Sequence, residues 1–498
     1  MTGNAMTGNA MSINAMSING GEHQMTRKIL AAATAVAFLL AACSDDEEGG
    51  SSGTASSAAA TSATDAPETT AAEAENVRQV PDEYDTIQAA VDAAAPGDLV
   101  LVGPGTYNEA VQVATDDLTI RGLDRNEVIL DGNFELDNGI RVLGANHVAV
   151  ENMTAMNYTK NGFFWTGVDG YRGSYLTAYR TGDYGVYAFD SVNGQIDHIY
   201  AAGSPDAGVY IGECYPCNAV VSDVVSEYNG LGYSGTNSGG NLLIVNSTWR
   251  YNRAGIVPNS GSYELCYPER ETTIVGNIVH GNNNGETPAI DVALLAMGNG
   301  IITPGGVLNV IERNLVYDHD KGGISLVPFP EEDPNDAIPG EDKWTMSCEE
   351  AKQQMPVDPG DLVIWESMRN RVVGNVLEDN RHADLLVAAV TADASTLGHC
   401  FADNTFTTSA PNNIETLAPC TADGVGVGSG DWADGKYDIL AWLGEEHPPS
   451  VDWKTATLPE LQPQENMPDA ATAPARPAND VPMQVDLASI VVPTKPAG

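Results

Sequence analysis

Three stretches of the chain hold residues whose types and spacing suit chemistry. Residues 208–221, GVYIGECYPCNAVV, contain Cys214 and Cys217 in C-x-x-C spacing, which serves a redox pair, half of a metal site or a structural disulfide. Residues 169–184, DGYRGSYLTAYRTGDY, bring Asp169, Arg172, Arg180 and Asp183 together in sequence. A basic residue beside clustered carboxylates is what an enzyme groove needs, and this neighbourhood is the one that offers it. Asp197 and His198 in QIDHI add a carboxylate next to an imidazole, the pair that general acid–base work draws on. Which of these groups meet depends on the elements that carry them.

The compartment is readable near the start. Residues 1–24 open with near-copies, MTGNA MTGNA MSINA MSING, and are set aside as upstream repeats. From Met25, Arg27 and Lys28 precede the apolar run ILAAATAVAFLLAAC, which reads as an export signal over 25–43 and is short for a permanent membrane span. Its end, Leu40-Ala41-Ala42-Cys43, resembles a bacterial lipobox, whose cysteine is diacylated and becomes the new N-terminus. The acidic, Ser- and Ala-rich residues 44–76 have the composition of a disordered linker. The expected location is therefore the cell envelope, lipid-anchored and extracytoplasmic. Beyond Cys43 the six remaining cysteines, Cys214, Cys217, Cys266, Cys348, Cys400 and Cys420, suit disulfides in an oxidising compartment.

The formal net charge is −45, from 23 Lys and Arg against 68 Asp and Glu. That argues against nucleic acid or an anionic lipid surface as a partner, leaving the anchor as the membrane contact. Acidic polysaccharides would also be repelled unless a local basic patch or bound cations intervened.

The chain repeats. Gly139-Ile140, Gly162-Phe163, Gly185-Val186 and Gly208-Val209 recur at a step of 23 residues, and the series continues at Gly232, Gly255, Gly300 and Gly323. A fixed period in the twenties indicates a solenoid. Alternating runs such as GIRVLG and NHVAVEN indicate strands, and recurring asparagines (Asn152, Asn246, Asn277, Asn314, Asn375) suit turns and side-chain ladders. The expected fold is all-β, a right-handed parallel β-helix of about 23-residue coils with three short strands each. Its domain spans 77–420 and opens with a capping helix around Ile87. An acidic, Pro-rich insert is expected over 328–361, with a short helix at 347–354. Residues 421–498 form a short helix and a Pro/Ala-rich tail.

The opening TIQAAVDAAAPGDLVLVGPGTYNE, together with the GI…N coils after it, resembles the pectin-lyase-like superfamily over roughly 77–420. The resemblance implies the fold and leaves activity open, since the group includes lyases, hydrolases, epimerases and adhesins. QIDHI is similar to the W-I-D-H stretch of pectate lyases, where an acidic residue helps hold calcium, but the tryptophan and an R-x-P-x-x-R stretch are missing. His198 also occupies the turn column of Asn152. YDHDKGG at 317–323 is similar to the D-P-H motif of alginate epimerases without its proline, and a solvated turn is the expected reading. No cofactor is expected from the residues, with calcium the ion such a resemblance would bring. For Cys214 and Cys217, a coil offers no βαβ unit and no second pair of zinc ligands, so a structural disulfide is expected.

Overlaying the coils places Arg141, Phe164, Tyr187 and Tyr210 at the same outward position. Such a column is either an exposed platform for sugar rings or a seam covered by the insert or tail. These residues together point to a β-helix that binds a polysaccharide or cell-surface glycan and, if an enzyme, acts on it as a lyase or epimerase. The alternatives are a non-catalytic surface scaffold or adhesin, or a periplasmic accessory protein that handles metal. If Cys43 carries lipid, Cys43→Ser should move the protein from the membrane fraction to the soluble fraction. Retention of the variant on salt-washed membranes would place the anchor elsewhere.

Overall fold

The computed structural model describes residues 76–390, 393–421, 432, 437–475 and 484–496. Cys43, the export signal and the linker up to residue 75 lie outside the described residues. The alternating runs are strands, and those of the coils pair in parallel with their counterparts one repeat away. Val186–Phe189 lies between Phe163–Thr166 and Ala207–Gly212. In the same coil Val192–Asp197 and Tyr200–Ala202 pair with the coils on either side. Each coil thus gives one strand to an 11-stranded sheet and two segments to a 20-stranded sheet. This is an all-β parallel β-helix, as expected.

The 23-residue glycines are explained by coil contact. A Cβ on Gly162 would stand 2.7 Å from the carbonyl oxygen of Gly185, and one on Gly185 would stand 2.5 Å from that of Gly208. Gly139, Gly232, Gly255 and Gly300 meet the next glycine carbonyl in the same way. Coils stack at about 4.8 Å, and at this corner that spacing leaves no room for a side chain.

The other corners turn through left-handed residues. Asn152, Tyr175, His198, Asp223 and Asn246 share one such column, with φ between 49° and 57°. The expected single column of asparagines is in fact two. Asn152 and Asn246 are corner residues, whereas Asn277, Asn314 and Asn375 sit one position later and point into the core. There Asn277 N donates to Asn314 Oδ1 at 3.0 Å, and Asn314 N to Asn375 Oδ1 at 2.9 Å. A second buried ladder runs Asn229, Asn252, Asn282, His319 and Asn380. His319 is therefore a core rung, and burial pushes its imidazole down to about 4. Of the DHDKGG turn, Asp318 and Asp320 are exposed as expected.

The helix Ile87–Ala93 buries Ile87, Ala90 and Val91 near the first coil, with Thr86 as its N-cap. Glu109 accepts from the N–H groups of Ile87 and Gln88, satisfying donors the helix cannot pair internally. At the far end Cys400–Cys420 closes the last coil. Among the described residues no helix is long and apolar enough to cross a membrane.

The tail wraps the coils. Being Pro-rich, it lacks many N–H donors and cannot join a ladder as a strand, so its carbonyls take side-chain partners. Arg253 donates to Pro448 and Pro449, Arg180 to Trp453 and Ala456, Arg125 to Glu465, and Arg121 to Ala473 and Pro474. The chain then returns along another line, where Ile490 packs on Val220, Val245 and Val275. Gly185→Ala should test the coil contact. We expect a loss of about 1–3 kcal/mol from overpacking, read as a lower melting temperature, and an unchanged melt would refute the steric account.

Candidate functional site

The outward column forms in the expected register. Arg141 pairs with Phe164, Phe164 with Tyr187, and Tyr187 with Tyr210 across the 11-stranded sheet. Arg141, Phe164 and Tyr187 are half-buried, while Tyr210 is only 1 % exposed. The rings stack on one another. Phe164 and Tyr187 centroids lie 4.9 Å apart, and Tyr187 and Tyr210 4.7 Å apart at 22°. The Arg141 guanidinium lies 5.5 Å from the Phe164 centroid. Tyr184, at the preceding corner, reaches within 4.5 Å of Tyr187 and 4.9 Å of Tyr210. The coil spacing that aligns these rings also occupies their faces. The column therefore presents ring edges at Phe164 and Tyr187 and is covered at Tyr210, part open edge and part covered seam, the two alternatives that the repeat pattern leaves open.

Carboxyl groups that no motif or period in the sequence singles out border these hydroxyls. Tyr184 hydrogen-bonds Asp206, and the Tyr210 hydroxyl donates to Glu264 Oε2 at 2.5 Å. Burial drives the Asp206 carboxyl up to about 7, helped by Asp183 and opposed by the Tyr184 bond. Glu264 is pushed well above the ordinary carboxyl range by burial and then by Glu213. Glu213 is itself raised by burial, against the pull of Lys352. Burial likewise raises the phenols of Tyr184, Tyr187 and Tyr210. Burial thus favours the protonated form of these carboxyls, in which they can donate as well as accept hydrogen bonds.

Two excursions form its boundary. Residues 260–269 leave the coil after the strand Ala254–Asn259 and fold back over Tyr210. Asn237 Nδ2 donates to the carbonyls of Gly261 and Glu264, Leu265 N donates to Glu213 Oε2, and Asn259 bonds the Tyr263 hydroxyl. The insert is the second excursion. Its arms Phe329–Glu332 and Leu362–Trp365 pair antiparallel, so it closes a few residues beyond 361. Glu331 accepts from Ser262 N, Ser262 Oγ and Trp365 Nε1, tying the two excursions together. The predicted insert helix is Cys348–Ala351, with a capping box from Ser347 and Glu350. Just beyond it Lys352 pairs with Asp190 and with Glu213.

All six described cysteines are paired. Cys214 bonds Cys217 within one turn, and Cys266 bonds Cys348, pinning the 260–269 loop to the insert. The C-x-x-C is a staple in this fold. Among the described residues no three His, Cys, Asp or Glu side chains converge as a metal site.

The Asp169, Arg172, Arg180 and Asp183 neighbourhood disperses, because strand alternation and a corner send the side chains to different faces. Asp169 accepts from Asn193, Arg172 pairs with buried Glu151, and Arg180 holds the tail. Asp183 alone borders the aromatic column, where its charge acts on Tyr187 and Asp206, and it pairs with Lys160. Asp197 and His198 lie together at a corner of the 20-stranded sheet. Burial would raise Asp197, but bonds from His198, Ser174 and Gln195 outweigh it and hold the carboxyl low. His198 is raised by its bond to Asp197 and stacks on Tyr175 at 4.1 Å. Its left-handed φ of 53° matches the turn column expected for it.

The chain matches no family model and no curated protein. Among solved structures it is similar to the A-module of the mannuronan C-5 epimerase AlgE4 of Azotobacter vinelandii, at 15 % identity and a TM-score of 0.38. That match covers 64 % of this chain and 90 % of the other. It is also similar to a PL6 alginate lyase in complex with a trisaccharide (12 %, 0.33, covering 70 % and 88 %). The pectate lyase Pel9A is a third (12 %, 0.34, covering 70 % and 81 %). Similarities this low add no argument about activity, and the fold rests on the chain's own strand pairing.

The raised carboxyls make a pH prediction. The folded state keeps the Asp206 proton up to about 7, while the unfolded chain releases it near its ordinary value of 3.8. Stability from this group is thus fully present below about 4 and is lost as pH rises toward 7. Asp206→Asn cannot titrate, so wild type should lose stability relative to this variant across pH 4–7 and hold level above. Parallel denaturation curves for the two proteins would refute the assignment.

Proposed function

We propose that this chain binds a polysaccharide on the outer face of the 11-stranded sheet and acts on it there, outside the cytoplasm, tethered through Cys43. The observation that carries the reading is the partly open edge of the Phe164–Tyr187 stack, whose hydroxyl-bearing side adjoins Asp183, Asp206, Glu213 and Glu264. Carbohydrates are recognised by groups of this kind, hydroxyls and carboxyls fixed on a rigid wall with apolar ring edges between them. Two carboxyls that burial pushes upward, each bonded to a phenol, give the site groups able to donate and take back a proton. The three disulfides agree with an oxidising compartment. The sequence resemblance of the opening and coils to the pectin-lyase-like superfamily supports a polysaccharide ligand.

A second reading, the non-catalytic scaffold, is favoured by one observation. The column's ring faces are taken by each other, as in a stack that serves stability alone.

Binding of the soluble domain to a panel of neutral and acidic polysaccharides separates the two. Product release should be followed as unsaturated-sugar absorbance and as new reducing ends. Tyr187→Phe keeps the ring stack and removes one hydroxyl, so its melt should match wild type. Its affinity for the retained glycan should fall by about 1 kcal/mol, roughly fivefold. If wild type retains no member of the panel, the scaffold reading stands.

A further inference from the structure

The column is closed at one end. Along it, Gln112 is exposed and Arg141, Phe164 and Tyr187 are half-buried. The next positions, Tyr210, Ser234 and Val257, are 1 %, 4 % and 0 % exposed. Cover therefore begins within one coil step, between Tyr187 and Tyr210. What covers Tyr210 is the 260–269 loop, and that loop is not free to lift. Its carbonyls and N–H groups are bonded to Asn237, Glu213 and Glu331, and Cys266 bonds it to the insert. Lifting it would leave several buried polar groups unpaired, which opposes opening. On one flank stand Tyr184 and Asp206; on the other the insert holds Lys352 against Asp190 and Glu213.

The shelf is thus open toward Gln112 and walled at Glu264, with about 14 Å of accessible column from Gln112 to Tyr187, three coil steps. That is room for roughly two or three sugar rings. Its charge changes along its length. Arg141 stands near the open end, whereas Asp183, Asp190, Asp206, Glu213 and Glu264 surround the inner part, and the two lysines there, Lys160 and Lys352, are already paired with three of these carboxylates.

From this we infer that the site takes the terminal, uncharged sugar residues of a glycan, end-on against the Glu264 wall, and not an internal segment of a chain. The inference rests on the polysaccharide reading and goes beyond it. An internal segment would have to leave through the 260–269 loop, and a terminal uronate at the inner end would meet carboxyl groups where both neighbouring lysines are already paired. A neutral sugar can donate hydroxyl protons to those carboxylates and accept from the ones that stay protonated.

The test uses the soluble domain and each neutral polysaccharide retained in the panel, as intact polymer and as partly hydrolysed fragments of the same polymer at equal mass. Calorimetric capacity should follow the number of chain ends, so tenfold shorter chains should bind about tenfold more protein per gram. Polygalacturonate in metal-free buffer should not bind. Thr166→Trp, a half-buried outward position beside Phe164 and Phe189, should fill the shelf and weaken binding at least tenfold with an unchanged melt. Capacity that follows mass rather than ends overturns end-on binding while leaving the polysaccharide reading intact. Retention of polygalacturonate, with the neutral polymers unbound, overturns the neutral class. Retention of nothing removes the polysaccharide reading and this inference with it.

Discussion

The distance between one coil and the next governs this molecule. At about 4.8 Å the corner at Gly139, Gly162, Gly185 and Gly232 brings each Cα against the carbonyl of the coil above, and only glycine fits. Once that corner is set, every outward residue stands over its counterpart one repeat earlier. Like side chains are forced into contact, and their chemistry decides the outcome. Asparagines become ladders in which each side-chain oxygen accepts from the backbone N–H of the coil before it. Aromatic residues become stacks whose faces are already filled. The same translation that makes Phe164, Tyr187 and Tyr210 visible as a set is what denies them flat faces toward solvent.

Whatever the period controls could be read from the sequence. The glycine step gave the coils, their three strands and the outward column with its register, and the cysteine count together with the missing βαβ unit gave the staple. What failed had no period to track. Glu264 meets Tyr210 across 54 residues because an excursion folds back, and no local pattern marks that return. The Asp169 to Asp183 group failed for the opposite reason. Its members are close in sequence, but the left-handed corner at Tyr175 and the alternation on either side of it turn neighbours onto different faces. The repeat pattern merges two asparagine columns that lie one residue apart. In early coils the corner residue is succeeded by an apolar side chain (Met153, Leu176, Ile199), and in later coils by Asn277, Asn314 and Asn375. Both patterns put an asparagine near the same place in the repeat.

Charge adds a second layer. In a chain of net charge −45, Arg125, Arg180 and Arg253 are committed to main-chain oxygens of the tail, and Arg121 holds the tail as well as Glu151. Proline supplies carbonyls without matching donors, and arginine offers several donors in a fixed fork. The tail is thus bound across many coils without forming a strand. The cost is that these cations are withdrawn from the surface, which leaves the aromatic column with Arg141 at its open end and carboxyls at its inner end.

A solenoid with perfect repeats has no reason to hold a ligand at one coil in preference to the next, since every step along the axis offers the same groups. A distinct site needs the translation to be broken. Here it is broken on the C-terminal side of the aromatic coils, where the 260–269 loop and the 328–365 insert leave the helix and return against it. They bring Glu264 to a phenol that the coils alone would leave in water, and Lys352 to Glu213. Glu213 and Glu264, which these excursions contact, are both raised by burial. The chemistry of the site thus comes from the non-repeating segments and its geometry from the repeating ones. The Cys266–Cys348 bond, which joins loop to insert, holds the two contributions in one place.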